Sequence, residues 1–163
     1  MTNAKLVKIT RHASLLCGGV LAGVALTVLF LELALRRLDG PEYVRVRQAE
    51  FDFLTWFIGA IFVPTLIAVV MLVIHARRAH SPALRPAVIA LVLLLLSLVV
   101  TLVVNGPINV EQLSWNAQAP PADWASVRDR WQIAHAVRTV AIVIALGYLS
   151  AAVIDRPFVR DRG

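Results

Sequence analysis

The chain has 163 residues, 59% of them hydrophobic, with a mean hydropathy of +0.76, so lipid rather than water is the expected solvent and an ordinary soluble domain, about 45–50% apolar, is excluded. The net charge of +6 sits at the ends of apolar runs and not in a patch interleaved with aromatics, which argues against nucleic acid as a partner. Cys17 is the single cysteine, so no intramolecular disulfide and no thiolate metal cluster within one chain can form.

Four apolar runs, 13–35, 53–74, 87–104 and 134–154, each approach the ~20 residues that cross a ~30 Å hydrocarbon core. They predict an all-α fold, a four-transmembrane-helix bundle forming one integral membrane domain, with an extracytoplasmic loop or helix extension before the last helix. Lys5, Lys8 and Arg11 ahead of the first run imitate a signal peptide, but the run is longer than the about 7–15 apolar residues of such a segment, so an uncleaved span is expected. With both termini cytoplasmic, Lys5, Lys8, Arg11, Arg77, Arg78, Arg85, Arg156, Arg160 and Arg162 fall inside, whereas Arg36, Arg37, Arg45, Arg47, Arg128, Arg130 and Arg138 fall outside in longer segments. The bias predicts a multi-pass protein of the cell membrane with its two long connections on the extracytoplasmic side.

The first span carries Ser14, Gly18 and Ala22 at intervals of four, beside Gly19 and Gly23. Such rows let helix backbones approach closely in lipid, and packing within the bundle is the expected use, with a homo-oligomer through this Gly-rich span as the alternative. Glu32 lies about one turn from the outer end, where a carboxylate calls for a function or a partner, and Arg36 is its same-helix candidate. The segment 37–52 opens on the turn signal Asp39-Gly40-Pro41 and continues with mixed charges, read as solvated surface or a short interfacial helix.

In the second span Pro64 is expected to kink the helix. His75 at its end and His12 at the start of the first span are read as boundary residues; a bis-imidazole haem site there is the less favoured alternative. Pro82 and Pro86 stop an inner hairpin loop. The third span places Ser97, Thr101, Asn105 and Asn109 four apart, and Gly106-Pro107 is expected to break it near the outer boundary and turn Asn109 and Gln112 toward the bundle mouth. After Pro120-Pro121 the last helix runs over thirty residues, about 50 Å, so its first turns project beyond the span or lie within the mouth.

The stretch from Asn105 to Arg138 holds three of the four tryptophans. On a continuous helix Trp124, Arg128, Trp131, His135 and Arg138, spaced by four, three, four and three, share one face. Arg138 and Glu32 lie at similar depth, and Asn105 near it. Glu32, Asn105, Asn109, Trp131, His135 and Arg138 are therefore expected to converge on the extracytoplasmic mouth. A purely structural account, an Arg138–Glu32 ion pair with interfacial Trp anchors, leaves the lone His on that face unexplained.

The pattern Asn105-x-Pro107-Ile108-Asn109, a polar loop, and then Arg130-Trp131-x3-His135-x2-Arg138-Thr139 resembles the anthrone oxygenase-like family of small four-helix membrane proteins. The resemblance implies oxidation of a hydrophobic aromatic substrate, an anthrone of the polyketide type, to its quinone, with dioxygen as co-substrate and without metal, flavin or other cofactor. The residues suit that chemistry. His135 is the candidate base, Arg138 stabilises charge, and Asn105 and Asn109 donate to an oxyanion. Trp131 stacks on the ring system, and Trp124, Gln112, Glu32 and Arg128 complete the substrate-binding set. The competing expectation is a non-catalytic membrane module that binds a lipid, a quinone or a partner membrane protein. A metal held by His135 and Glu32 has too few ligands to lead, and proton-coupled transport lacks charges at the bilayer centre and inverted repeats.

Overall fold

The computed structural model of the protein describes residues 2–154. Arg156, Arg160 and Arg162, which contribute to the orientation bias, lie outside the described residues. The regular elements are helices throughout: α1 (Thr2–Leu35), α2 (Gly40–Arg78), α3 (Leu84–Val100), a π turn (Thr101–Asn105), α4 (Gly106–Leu113) and α5 (Trp124–Ile154). Four stretches, Ala4–Leu35, Phe53–Arg78, Leu84–Leu113 and Trp124–Val153, are long and apolar enough to cross a membrane. α1 packs on α2 and α5, and α3 packs on the same two helices, so the four stretches close into a ring. The α2–α3 seam is the most sparsely packed of the four. Short connections make chain neighbours antiparallel. The end of α1, the start of α2, the end of α4 and the start of α5 therefore gather at one end of the bundle.

Segment 37–52 is not the solvated surface read from its charges. Asp39 accepts a hydrogen bond from the Glu42 amide at 2.9 Å, Pro41 occupies the first turn, and Glu42 adds an acidic group there. These are helix-start signals, so the chain enters α2 at once. Tyr43, Arg47, Leu54 and Ile58 then continue the inward row of the second span by an extra three turns. The helix runs on through Pro64 and ends in a Schellman motif: Ser81 N–H donates to the Ala76 carbonyl at 2.9 Å, His80 N–H to Arg77, and His80 takes φ 48°.

The Gly106-Pro107 pair also acts differently from a helix breaker. Pro107 cannot donate, and the chain absorbs the missing bond by widening to a π turn in which Gly106 N–H reaches the Thr101 carbonyl. A Cβ on Gly106 would stand 3.1 Å from that same oxygen, so the glycine permits the close approach. The helix then resumes as α4. Gln48 of α2 donates to the carbonyls of Gln112, Leu113 and Trp115, at 3.2, 3.3 and 2.9 Å, and so satisfies the open end of α4.

Two apolar clusters fill the bundle. One is rich in alanine (Ala76, Ala83, Ala87, Ala90, Ala145, Ala152) with Leu72, Leu94 and Leu149, and brings the helices close. Ser14 and Ala22 are buried, and Gly18 meets Leu149, so much of the small-residue row packs within the bundle; around Gly19 and Gly23 there is open space. The second cluster, Val28, Tyr43, Val44, Ile108, Trp115, Val127 and Trp131, caps the loop end. Beside it lies a layer of buried polar side chains.

Candidate functional site

Arg47 forms the hub of that layer. Its Nη1 donates to Glu32 Oε1 at 2.9 Å and to Glu50 Oε1 at 2.6 Å; its Nε reaches Gln112 Oε1 at 3.2 Å and its Nη2 reaches Asn109 Oδ1 at 3.1 Å. The guanidinium also lies 4.3 Å from the centroid of the Trp131 ring. Glu32, 1% exposed, thus pairs with Arg47 and not with Arg36 or Arg138. Its second oxygen and its carbonyl both accept from Gln132 Nε2, and Gln132 Oε1 accepts in turn from Arg36. A carboxylate this deep survives because every acceptor has a donor.

α5 supplies the second half. Trp131 stacks on His135 with ring centroids 5.0 Å apart and 17° between planes, and its Nε1 donates to Asn109 Oδ1 at 2.6 Å. Arg138 Nε donates to His135 Nδ1 at 3.0 Å, so that nitrogen carries a lone pair and the proton belongs on Nε2, which points at the Ala25 carbonyl 3.1 Å away. His135 is therefore the neutral tautomer, with both ring nitrogens engaged. Arg138 Nη1 reaches Thr101 Oγ1 at 3.2 Å. Among the described residues no carboxylate lies within ion-pairing distance of Arg138, although its residue is 8% exposed. Asn105 donates through Nδ2 to the Trp131 carbonyl at 3.0 Å, which leaves its buried Oδ1 without a partner.

A cavity of about 270 Å³ opens along the α2–α3 seam. Phe51, Leu54, Ile58 and Phe62 of α2 form its apolar wall, and Thr55, Gly59 and Val63 form its exposed rim. Arg47, Glu50, Thr101, Asn105, Asn109, Trp131 and Arg138 form its polar end. It is a lateral groove in the side of the bundle, lined from α2 and from the α3–α4 stretch. Asn109 lines it with its oxygen already engaged by Trp131 and Arg47.

Of the residues singled out from sequence, Trp131, Arg138, Asn105 and Asn109 line this cavity. His135 lies behind Arg138, outside the lining of this cavity, and borders a small adjoining crevice that shares Val28, Ile58, Phe62 and Arg138 with it. Glu32 and Gln112 bond Arg47 from behind and do not reach the cavity. Trp124 and Arg128 stack on each other at 5.0 Å; Trp124 packs 5.6 Å from Tyr43 at the end of the bundle, so they close the end rather than line the groove. Burial there pushes the Tyr43 phenol well above its usual range, with the Glu32 carboxylate adding to the effect, and it stays protonated against Gln112 Nε2 at 3.5 Å.

Sequence reasoning missed Arg47, Glu50 and Gln132. The signal for the first two was the register: Arg47, Glu50 and Leu54 lie on the same row as Ile58 once α2 is seen to start at Gly40. Among the described residues no group of three or more His, Cys, Asp or Glu side chains is placed to hold a metal ion.

A protein-family model described as anthrone oxygenase matches residues 53–148, more than half of the chain and including Asn105, Asn109, Trp131, His135 and Arg138. No curated protein and no solved structure gives a significant match.

Proposed function

We propose, from the premise that the chain belongs to the anthrone oxygenase family, that it oxidises a planar, hydrophobic aromatic molecule with dioxygen in the lateral groove between α2 and α3. The observation that carries this reading is the Arg138 guanidinium. It is a buried cation with no carboxylate partner among the described residues, at the polar end of a cavity whose other wall is aromatic and aliphatic. An uncompensated buried charge is costly unless a ligand neutralises it. A substrate whose carbonyl oxygen becomes an enolate supplies that negative charge only as the reaction proceeds, and the interaction therefore strengthens toward the transition state.

Trp131, stacked on His135, bonded to Asn109 and covered by the Arg47 guanidinium, is a fixed part of the polar end, and Phe51 and Phe62 supply aromatic surface to the ring system. Asn109 Nδ2 and Arg138 are the donors available to oxygen, whereas Asn105 Oδ1 is an acceptor available to a hydroxyl. His135 acts as a positioning residue: it takes the Nε hydrogen of Arg138 and so aims the rest of the guanidinium. A ligand that partitions into the bilayer reaches the groove past Thr55, Gly59 and Val63. In our reading the polar end lies toward the extracytoplasmic side of the cell membrane, with the amino terminus cytoplasmic.

The test is dioxygen uptake together with quinone absorbance, using protein in lipid nanodiscs and unsubstituted anthrone, with Arg138→Met alongside. Turnover by the parent should fall by about 100-fold or more in the variant, comparable to the loss of one preorganised oxyanion donor. Equal rates for parent, variant and empty nanodiscs would mean spontaneous autoxidation. A groove that still bound the probe under those conditions would be a binding module for a quinone or lipid.

A further inference from the structure

Oxidation of an acidic methylene begins with loss of a proton, and the groove holds few groups able to take it. Glu32 has Arg47 on one oxygen and Gln132 on the other, and does not line the cavity. His135 accepts from Arg138 on Nδ1 and presents Nε2 to the Ala25 carbonyl, so no lone pair of the ring is free toward the groove. Glu50 differs from both. It lines the cavity between Arg47 and Phe51, its Oε1 is held by Arg47 at 2.6 Å, and its Oε2 has no donor among the described residues. From these contacts we infer that Glu50 is the catalytic proton acceptor of the site, with Arg47 fixing its orientation. The inference rests on the oxygenase reading above and adds a catalytic residue to it.

The step balances. Glu50 Oε2 takes one proton from the substrate methylene, and the C–H electron pair stays on the ligand as an enolate whose oxygen faces Arg138. The enolate passes one electron to dioxygen, the radical pair couples to form a C–O bond, and the peroxide anion recovers the proton from Glu50. Glu50 then takes the second methylene proton as the O–O bond breaks and hydroxide leaves. Proton and hydroxide combine, so methylene plus dioxygen gives a carbonyl and water. Arg47 serves as a clamp here. It keeps Oε1 occupied, so only Oε2 is available to the ligand.

Proton removal and oxygenation separate experimentally. In deuterium oxide under nitrogen, exchange of the methylene of unsubstituted anthrone is followed by NMR; in air, dioxygen uptake is followed on the same nanodisc preparations. The parent is expected to accelerate both above empty nanodiscs. Glu50→Gln is expected to lose about 100-fold or more of both, the scale of a positioned base, while the probe still quenches tryptophan fluorescence with parental affinity. Glu50→Asp keeps the charge beside Arg47 but withdraws the carboxylate by one methylene; an intermediate loss with an unchanged melting temperature is expected, and this variant decides the matter if Glu50→Gln does not fold. Parental rates in either folded variant overturn the role of Glu50 and leave the oxygenase reading standing. Exchange that depends on Glu50 without dioxygen uptake overturns the oxygenase reading and keeps the proton acceptor. A parent that accelerates neither overturns both.

Discussion

Arg47 binds Glu32, Glu50, Asn109, Gln112 and the face of Trp131, drawing α1, α2, α4 and α5 onto one guanidinium. Removing it leaves the Glu32 carboxylate buried with its main partner gone, the situation in which breaking one half of a buried pair is expensive. Arg47→Leu is therefore expected to destabilise the protein by about 3–5 kcal/mol in reversible unfolding from detergent micelles. Adding Glu32→Leu should restore part of that loss, and purely additive losses would mean the two groups are not coupled. Trp131→Phe keeps the stack on His135 but deletes the Nε1 hydrogen bond to Asn109. A loss of about 1 kcal/mol is expected from one neutral hydrogen bond. Asn109 is then held by Arg47 alone, so ligand affinity should fall further than stability does.

At the scale of elements, the π turn at Thr101–Asn105 sets which side chains of α4 face the groove. Inserting or removing one residue rotates everything beyond it by about 100°. Deleting Val103 should restore an ordinary helix and swing Asn109 and Gln112 off Arg47. The expected signature is unchanged helicity by circular dichroism, a lower melting temperature and loss of probe binding; retained binding would show that the turn does not set the register. The start of α2 is under a different constraint. A Cβ on Gly40 would lie 2.9 Å from Trp124 Nε1 and 3.3 Å from Pro120 Cγ. Gly40→Ala must push the Trp124 indole out of its seat on Tyr43, and an overpacking cost of about 1–3 kcal/mol follows, readable in the same unfolding assay.

At the scale of the whole molecule, the bundle is a ring whose loosest seam, between α2 and α3, carries the groove. Gly59 sits on that seam with nothing within 4 Å of where a Cβ would stand, so a large side chain there meets the groove and the acyl chains rather than the core. Gly59→Trp is expected to leave the melting temperature within about 1 °C of the parent while abolishing probe binding. Full binding in this variant would mean that ligands enter along the bundle axis, past Trp124 and Tyr43.

The existence of four spans and the row Trp131–His135–Arg138 were legible because they depend on local quantities. Hydropathy over about twenty residues decides the solvent of a helix, and a period of 3.6 decides which side chains share its face. The resemblance carried by Asn105, Asn109, Trp131 and His135 is likewise contained within a short stretch of chain, and the family match covers it. What only the tertiary structure decided is the partner of each buried polar group. Arg47 meets Glu32 across 15 residues, Asn109 across 62 and Gln112 across 65, and no periodicity within one segment encodes those distances. Segment 37–52 read as a surface charge run because charge is ordinarily solvated; here the bundle offered the Arg47 guanidinium enough acceptors to replace water. Trp124 and Trp131 shared a face on paper, yet packing sent one to the end of the bundle and the other to the groove. Side-chain periodicity specifies direction around a helix, and the neighbouring helices specify what waits there.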